Sequence, residues 1–273
     1  MLFFLNPRES TFNIADASNI SKKNWVIAQR QIDQNLLKLN EQGYLNGHTP
    51  FSALLAFLTM LSGVPLGVRN IILSNENSAN EGNVLFNGQI VNHQYSKTFD
   101  FEKKFSFYSQ KYLAKETQYF SFLRPLKELA IARLFSKYTK YHNHFKSCNV
   151  GQKKDVWCGN CPKCLFVWVI LSPWLPLEDM IKIFNKNIWQ DLNQLDSLKE
   201  LAGVSGIKPF ECVGTSSEVR SALLLCQKKY EKTSLPLLSS IKMDDFQYNE
   251  EKICNEHMVP KPYWEMLKNE LSS

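Results

Sequence analysis

The sequence has no internal repeat, no low-complexity tract and no secretory signal among its 273 residues. Residues 1–5 are apolar, but this stretch is too short for a signal peptide and lacks a basic start. Residues 51–68 carry no charge, which reaches the lower limit for a membrane helix, yet Gly63 and Pro65 interrupt the run near its end. We therefore expect a cytoplasmic protein without a membrane partner.

A strong excess of one charge is also missing. The net charge is +6, with 44% hydrophobic and 21% charged residues, which is an ordinary soluble balance. This charge is too small and too dispersed to predict nucleic-acid binding, although it suits an anionic ligand such as a nucleotide. A chain of this length can bury a sizeable core.

Cysteine is concentrated in one stretch. Four of the seven cysteines lie in residues 148–164 with the spacing C-x9-C-x2-C-x2-C. Thiolates are soft ligands, and zinc takes four of them as a tetrahedron. We therefore predict a zinc knuckle with the ligands Cys148, Cys158, Cys161 and Cys164. A closed set of four leaves no open position for a substrate, so the metal would hold the fold together.

Other uses of these cysteines explain the pattern less well. A disulfide framework requires a secreted protein, and a thioredoxin-like redox pair would leave two cysteines over. An iron–sulfur cluster also takes four thiolates and is the stronger competitor. The cysteines outside the knuckle fit a reducing cytosol.

Strand and helix patterns alternate in the first half of the chain. Residues 68–73 and 119–123 predict parallel strands, and residues 101–115 and 126–138 predict helices. Residues 2–5 predict a further strand, and residues 25–39 have partly helical spacing. The alternation predicts an α/β protein with a parallel sheet. Ligands of open α/β sheets bind beyond the carboxyl ends of strands, which makes Ser74, Asn75 and Glu76 site candidates.

A second polar segment follows at residues 91–97, V-N-H-Q-Y-S-K. It brings Asn92, His93, Gln94 and Lys97 into seven residues with little apolar content. By itself, this composition fits a solvated loop better than a site, because polar loops are common.

The chain beyond residue 176 is mostly helical, with short helices predicted at 177–184 and 195–201. Thr215 and Glu218 form a capping box for a helix that runs to about residue 230. We therefore divide the chain into an α/β domain at residues 1–175, which includes the knuckle at 148–164, and a helical region at residues 176–273.

Six motifs follow one another along the chain. They are L-N-x-x-G-x-L-N-G-H-x-P (39–50), S-N-E-x-S-A (74–79), G-x-x-V-N-H-Q-Y-S-K (88–97), S-F-L-R-P-L-x-E-L (121–129), W-C-G-N-C-P-K-C (157–164) and K-P-F-E-C-V-G-T (208–215). Together they resemble the UDP-N-acetylmuramoyl-L-alanyl-L-glutamate epimerase family of bacterial peptidoglycan synthesis. The knuckle and the strand and helix before it also resemble 7-cyano-7-deazaguanine synthase, a member of the adenine-nucleotide α-hydrolase superfamily of ATP pyrophosphatases.

The resemblance implies a reaction. The family inverts the terminal L-glutamate of UDP-N-acetylmuramoyl-L-alanyl-L-glutamate to D-glutamate, while ATP is converted to AMP and pyrophosphate. A Cα–H beside a free carboxylate is a very poor acid, because its carbanion would place a second negative charge beside the first. Adenylation of that carboxylate removes the charge, so a positioned base can take the proton.

The resemblance also suggests roles. Asn75, Glu76, Asn92, Gln94, Lys97 and Arg124 are the expected substrate- and nucleotide-binding residues. Among them, Lys97 and Arg124 could neutralise phosphate or carboxylate, and Glu76 could hold Mg²⁺.

Three residues are candidates for proton transfer. His93 is the first, because imidazole titrates near neutrality, and His48 and Cys212 are the next. Cys212 equally fits a small buried apolar residue.

One expected feature of the resemblance is absent. Members of the superfamily carry an S-G-G-x-D-S pyrophosphate loop near the start of the sheet, and this sequence contains no such stretch. We expect a nucleotide α-hydrolase, Rossmann-like domain without its first βα unit, with a missing N-terminal half or an upstream-encoded chain as its partner. The alternatives are an inactive or split fragment of the epimerase and a zinc-containing module that binds or modifies RNA.

Overall fold

The structure is a computed structural model. It describes residues 1–45, 50–82, 84–206, 209, 213–249 and 253–272. Within these ranges the chain is an α/β protein, with its strands in the first half and mainly helices in the second. None of the helices described there has both the length and the apolar character needed to cross a bilayer.

The described residues contain six short strands, which form three two-stranded sheets. The strands are β1 (Leu2–Leu5), β2 (Trp25–Ala28), β3 (Asn70–Leu73), β4 (Val84–Phe86), β5 (Gln89–Val91) and β6 (Gln118–Ser121). β1 pairs in parallel with β2, and β3 pairs in parallel with β6. β4 and β5 form an antiparallel hairpin.

The register of the second pair fixes where its strands end. Leu73 lies opposite Ser121, so β3 and β6 end side by side. The backbone N–H of Phe122 still donates to the Leu73 carbonyl at 2.8 Å, which continues the ladder one step beyond the strands. The two segments that follow, from Ser74 and from Phe122, therefore leave the sheet at the same edge.

Helices cover and connect the strands of the first half. They are α1 (Glu9–Ala17), α2 (Gln34–Glu41), α3 (Phe51–Gly63), α4 (Phe99–Tyr112) and α5 (Glu128–Ser136). Thr98 is the N-cap of α4, and its side chain accepts a hydrogen bond from the backbone N–H of Phe101. This cap satisfies one of the free donors at the helix start. α4 packs on β6, and α3 contacts β3.

The second half is a helical assembly around one buried helix. Its helices are α6 (Pro162–Leu171), α7 (Leu177–Phe184), α8 (Leu195–Leu201), α9 (Ser216–Lys229), α10 (Pro236–Ser239) and α11 (Lys261–Ser272). α6 is buried from Cys164 to Leu171 and contacts α5, α8 and α9. A helix that is apolar on every side must lie inside a core, which explains why α6 is the centre of the packing.

The structure confirms most of the predicted elements. It adds α1 at Glu9–Ala17, where a polar loop was expected, and it differs at two further places. Residues 25–39 were expected to be partly helical, and the helix begins only at Gln34, because Trp25–Ala28 pairs with β1 as a strand. The hairpin of β4 and β5 was not predicted. Its turn contains Asn87 and Gly88, which have φ values of 48° and 75°. Asn-Gly between apolar runs is a strong signal for such a turn.

The predicted domain boundary after residue 175 stays a prediction. The largest hydrophobic core contains residues on both sides of it, including Leu165 and Trp168 of α6 and Ala222 of α9. A smaller cluster lies between α3, α4 and the β3–β6 pair, with Ala56 and Tyr119 among its members.

Candidate functional site

The four predicted metal ligands lie together. The Sγ atoms of Cys148, Cys158, Cys161 and Cys164 are all within 4.8 Å of one another. Their measured separations are 3.8 Å for Cys148–Cys161, 3.7 Å for Cys158–Cys164 and 3.5 Å for Cys161–Cys164. Four thiolates at about 2.3 Å from one zinc ion would lie about 3.8 Å apart. The donor set therefore fits a single tetrahedral ion.

Backbone donors surround these sulfurs. The N–H of Gly151 donates to the Cys148 Sγ at 3.0 Å, and the N–H of Cys164 donates to the Cys161 Sγ at 3.5 Å. Such donors favour thiolate over thiol. The neighbouring thiols, that of Cys164 above all, hold the pKa of Cys161 below its usual range, whereas burial raises the pKa of Cys158 and the hydrogen bond to Cys161 raises that of Cys164. Gly151 must be glycine here, because a Cβ would lie 2.2 Å from the Val156 carbonyl oxygen.

The loop after β3 is held by the segment after β6. The Asn75 side-chain amide donates to the Ser121 hydroxyl at 3.3 Å. The N–H of Asn77 donates to the Leu126 carbonyl at 2.7 Å. Asn75 and Glu76 therefore lie at the carboxyl edge of the β3–β6 pair, where the sequence predicted a site.

Arg124 lies beneath this edge in a buried ion pair. Its side chain and that of Glu102 are 0% and 2% exposed, and their closest nitrogen and oxygen are 2.9 Å apart. The guanidinium also donates to the carbonyls of Glu76 and Lys97, each at 2.6 Å. The second Glu102 oxygen accepts from the Ser121 N–H at 3.0 Å. Arg124 thus joins both candidate loops to β6, and this placement favours a positioning role over the predicted ligand contact.

The polar segment at residues 91–97 is a structured loop. The Asn92 amide donates to the Ala79 carbonyl, and the Asn92 side-chain oxygen accepts from the Gln94 N–H, both at 2.8 Å. Asn92 therefore ties this loop to the one after β3. The Oε1 atom of Gln94 is buried with no hydrogen-bond partner in the described part of the chain. His93 and Lys97 are half-buried beside it.

A cavity of about 430 Å³ opens at the same edge. Its polar wall carries Glu76 from the loop after β3, Glu128 from the first turn of α5 and Lys163 from the first turn of α6. Apolar side chains of α5 and α6, including Ile131 and Phe166, form the rest. The structure thus brings carboxylates and an ammonium group into one largely apolar space, a common form of ligand site.

The Glu128 carboxyl is perturbed by this environment. Burial raises its pKa to about 8, and the charge of Glu76 acts in the same direction. Lys163 and Lys97 lower it to a smaller extent. A carboxylate in the first turn of a helix is usually favoured by the helix dipole, so burial outweighs that effect here. A carboxyl group with such a pKa can both give and take a proton near neutral pH.

Glu218 connects this region to α9. Its carboxylate accepts from the Ser78 hydroxyl at 2.7 Å, from the Thr215 N–H at 2.8 Å and from the Leu129 N–H at 3.4 Å. The predicted capping box with Thr215 is present. A single buried anion therefore holds the starts of α5 and α9 and the loop after β3 together.

Sequence reasoning missed Glu128 and Lys163 as site residues, although both lie in quoted motifs. Glu128 is the acidic residue of S-F-L-R-P-L-x-E-L, and Lys163 lies between two predicted metal ligands. Both lie in the first turn of a helix and line the same cavity. Two predicted candidates, His48 and Cys212, lie outside the described residues.

Fold and site together define the class of the protein. It is an α/β protein with a four-cysteine cluster and with a carboxylate-lined cavity at its strand ends. The MurL N-terminal domain family matches residues 1–122, and the MurL C-terminal domain family matches residues 144–255. The chain therefore belongs to the MurL family.

Its relatives carry a specific name, UDP-N-acetyl-alpha-D-muramoyl-L-alanyl-L-glutamate epimerase. The protein of Xanthomonas oryzae pv. oryzae is 35% identical over 254 residues, which are 88% of this chain and 56% of that protein. The Micromonospora protein is 34% identical over 243 residues, covering 88% and 54%. The Salinispora tropica protein is 35% identical over 243 residues, covering 88% and 52%.

The chain spans about half the length of these relatives. No solved structure matches it.

Proposed function

We propose that this chain takes part in the ATP-dependent epimerisation of the terminal glutamate of UDP-N-acetylmuramoyl-L-alanyl-L-glutamate. The chain would act as an isomerase of peptidoglycan precursor synthesis, in the cytoplasm. Family membership and the printed names of the relatives support the substrate. The observation that carries the proposal is the cavity that gathers Glu76, Glu128 and Lys163 at the strand ends.

The chemistry requires groups that this cavity contains. The adenylated glutamate loses a proton from Cα, and the developing enolate needs positive charge nearby. We assign the proton transfer to Glu128, whose pKa near 8 lets it exchange a proton at neutral pH. Lys163 and Lys97 would stabilise the anionic species. His93, the first proton-transfer candidate from the sequence, stays a prediction, as do His48 and Cys212, which lie outside the described residues; one of the three would supply the second transfer.

The nucleotide would bind at the loops after β3 and before α4. ATP and Mg²⁺ are the co-substrates of the proposed reaction, and Glu76 is the proposed contact to the magnesium ion because Mg²⁺ prefers carboxylate and phosphate oxygens. The buried Oε1 atom of Gln94 is an acceptor that a ligand donor could satisfy. Asn75 and Asn92 hold the two loops in place for that contact.

The metal of the knuckle is proposed to be zinc. The sulfur separations of 3.5–3.8 Å suit one ion with four thiolates. A four-iron cluster places each thiolate on a different iron, which sets the sulfurs further apart. Zinc here would supply no chemistry of its own. It would fix Cys161 and Cys164, and with them the first turn of α6 that carries Lys163.

The wider fold is proposed to be a Rossmann-like nucleotide α-hydrolase domain at residues 1–175, followed by a helical region at residues 176–273. The parallel β3–β6 pair with α4 in the connection supports this assignment. Crossover through a helix is the usual link between parallel strands.

The test is an assay of the purified chain with the substrate, ATP and Mg²⁺ in D₂O, repeated with the protein encoded upstream. Deuterium at the glutamate Cα together with AMP supports the proposal. Glu128→Gln should reduce deuterium incorporation by about 10²–10⁴-fold.

Glu178→Gln is the matched control, because Glu178 is also a first-turn glutamate but lies exposed on α7. Absence of both products with and without the upstream protein contradicts the proposed function. Full incorporation in Glu128→Gln contradicts only the role of Glu128. Incorporation that survives in His93→Gln removes that histidine from the proton-transfer candidates.

A further inference from the structure

The start of α5 is capped by a residue of another helix. The N-cap residue of α5, Lys127, forms no side-chain cap hydrogen bond. The Leu129 N–H, one of the free donors at this helix start, instead donates to the Glu218 carboxylate at 3.4 Å. Glu218 also belongs to the capping box at the start of α9 and is only 4% exposed. One buried carboxylate therefore serves the starts of two helices.

This arrangement leaves the Glu128 carboxyl without a capping task. A carboxylate in the first turn of a helix is normally attracted to the free N–H groups of that turn, because the helix dipole is positive there. Among the described residues, however, no group forms a hydrogen bond with the Glu128 carboxyl, on which burial and nearby charges act instead. Glu128 lines the cavity of about 430 Å³ together with Glu76 and Lys163, and we call this space the carboxylate cavity.

Gly214 allows the start of α9 to approach α5 this closely. A Cβ at this buried position would lie 3.2 Å from the Cβ of Glu128, 3.0 Å from a Glu218 carboxylate oxygen and 3.0 Å from the Phe166 ring. Alanine here would therefore push the turn before α9 away from α5. Gly214 belongs to the K-P-F-E-C-V-G-T motif (208–215), whose described end thus packs beside the Glu128 side chain.

We propose that Glu218 is a positioning residue for the proton transfer, because it occupies the start of α5 in place of Glu128 and so leaves the Glu128 carboxyl turned into the carboxylate cavity. This inference deepens the proposed function and rests on the role that it gives to Glu128. Glu218 is not among the described residues that line the cavity, so it would act on the reaction through Glu128 rather than on the substrate.

The charges around Glu128 fit this arrangement. Burial raises the pKa of Glu128 most, and the carboxylates of Glu76 and Glu218 raise it further. The ammonium groups of Lys163 and Lys97 lower it. If the Glu128 carboxylate moved to the start of α5, it would accept a hydrogen bond and meet the positive end of the helix dipole. Both changes favour the ionised form, so the pKa of Glu128 would fall.

Carbon-13 NMR of the glutamate carboxyl groups tests this inference without the reaction. The full chain is labelled at glutamate, and the Glu128 signal is the one that disappears in Glu128→Gln. In the unmodified chain this signal should titrate well above the ordinary glutamate pKa of about 4.3. In Glu218→Ala the midpoint should fall by about one pH unit or more, because both the cap of α5 and a nearby negative charge are lost.

Two further variants make the titration specific. Gly214→Ala keeps the Glu218 carboxylate but moves it away from α5, so the Glu128 midpoint should fall here as well. Asp33→Ala removes the side-chain cap of the exposed helix α2 and should leave that midpoint unchanged. Circular dichroism and metal content show which variants fold, and the titration of the unmodified chain needs no variant. A midpoint near about 4.3 in the unmodified chain, or unchanged midpoints in Glu218→Ala and Gly214→Ala, overturns the inference.

Deuterium incorporation at the glutamate Cα, measured against pH, connects the arrangement to the reaction. Glu218→Ala should slow incorporation about tenfold or more and move the limb of the profile that belongs to Glu128 towards lower pH. Loss of folded protein alone would lower the rate equally at every pH. Glu218→Gln retains an acceptor for the Leu129 N–H and should restore part of the rate.

The outcomes separate this inference from the proposed function. A profile that keeps its shape in Glu218→Ala contradicts the positioning role. Absence of incorporation in the unmodified chain counts against the proposed function, whereas the carboxyl titration still decides whether Glu218 keeps the Glu128 carboxyl in the carboxylate cavity.

Discussion

Replacement of Arg124 by methionine should destabilise the protein strongly. The guanidinium is completely buried and donates to Glu102 and to two backbone carbonyls. Removing one partner of a buried ion pair costs about 3–5 kcal/mol. The carbonyls of Glu76 and Lys97 would also lose their donor, at about 1–3 kcal/mol each where water does not replace it. We therefore expect Arg124→Met to lower the free energy of unfolding by about 5 kcal/mol.

Urea unfolding followed by tryptophan fluorescence measures this loss. The double variant Arg124→Met with Glu102→Leu should be more stable than Arg124→Met alone, because it leaves no uncompensated buried carboxylate. Lys104→Met, which breaks an exposed pair with Asp100, should leave the urea midpoint unchanged. A loss below about 1 kcal/mol in Arg124→Met refutes the structural role. If ATP binding disappeared while stability stayed normal, the original ligand interpretation would be correct instead.

Three further predictions concern the knuckle, the capping carboxylate and the cavity. Cys161→Ser should release the bound metal and lower the melting temperature, whereas Cys226→Ser, a buried cysteine outside the knuckle, should keep the metal in elemental analysis. Glu218→Gln should lower the free energy of unfolding by about 2 kcal/mol, because the charge-assisted hydrogen bonds from α5, α9 and Ser78 become weaker. An unchanged urea midpoint in this variant would contradict that prediction. The pKa of Glu128 is raised, so the folded state binds more protons than the unfolded state, and stability should fall as pH rises towards about 8. Glu128→Gln should flatten that fall between pH 6 and 8 in urea titrations, and an unaltered slope would contradict the shift.

The sequence predicted best where a local pattern decides the structure. The capping box of Thr215 and Glu218 and the helix at Leu195–Leu201 depend on neighbouring residues alone. The cysteine spacing predicted the cluster because a metal site in a short segment is also local. The edge position of Asn75 and Glu76 followed from the general rule on strand ends.

Long-range packing explains what the sequence did not predict. Arg124 was predicted to contact a ligand, but in the structure its guanidinium lies 2.9 Å from the carboxylate of Glu102, 22 residues earlier. The shifted pKa of Glu128 depends on burial by α6 and on Glu76, neither of which its own segment indicates. Residues 25–28 form a strand because β1 lies beside them, and no periodicity within that segment reveals its partner. The β4–β5 hairpin is a different case, because the sequence contains its turn signal, Asn87-Gly88, and the hairpin was nevertheless not predicted.

Glu218 also limits how the polypeptide can be divided. It lies in the segment matched by the C-terminal family, and it accepts a hydrogen bond from Ser78 in the segment matched by the N-terminal family. A cut between residues 122 and 144 would fall between these partners. Each piece would then expose surface that is now buried, and the piece with Glu218 would lose the hydrogen bond from Ser78. Gene fission at this point should therefore yield two polypeptides that are insoluble apart and regain solubility only when produced together.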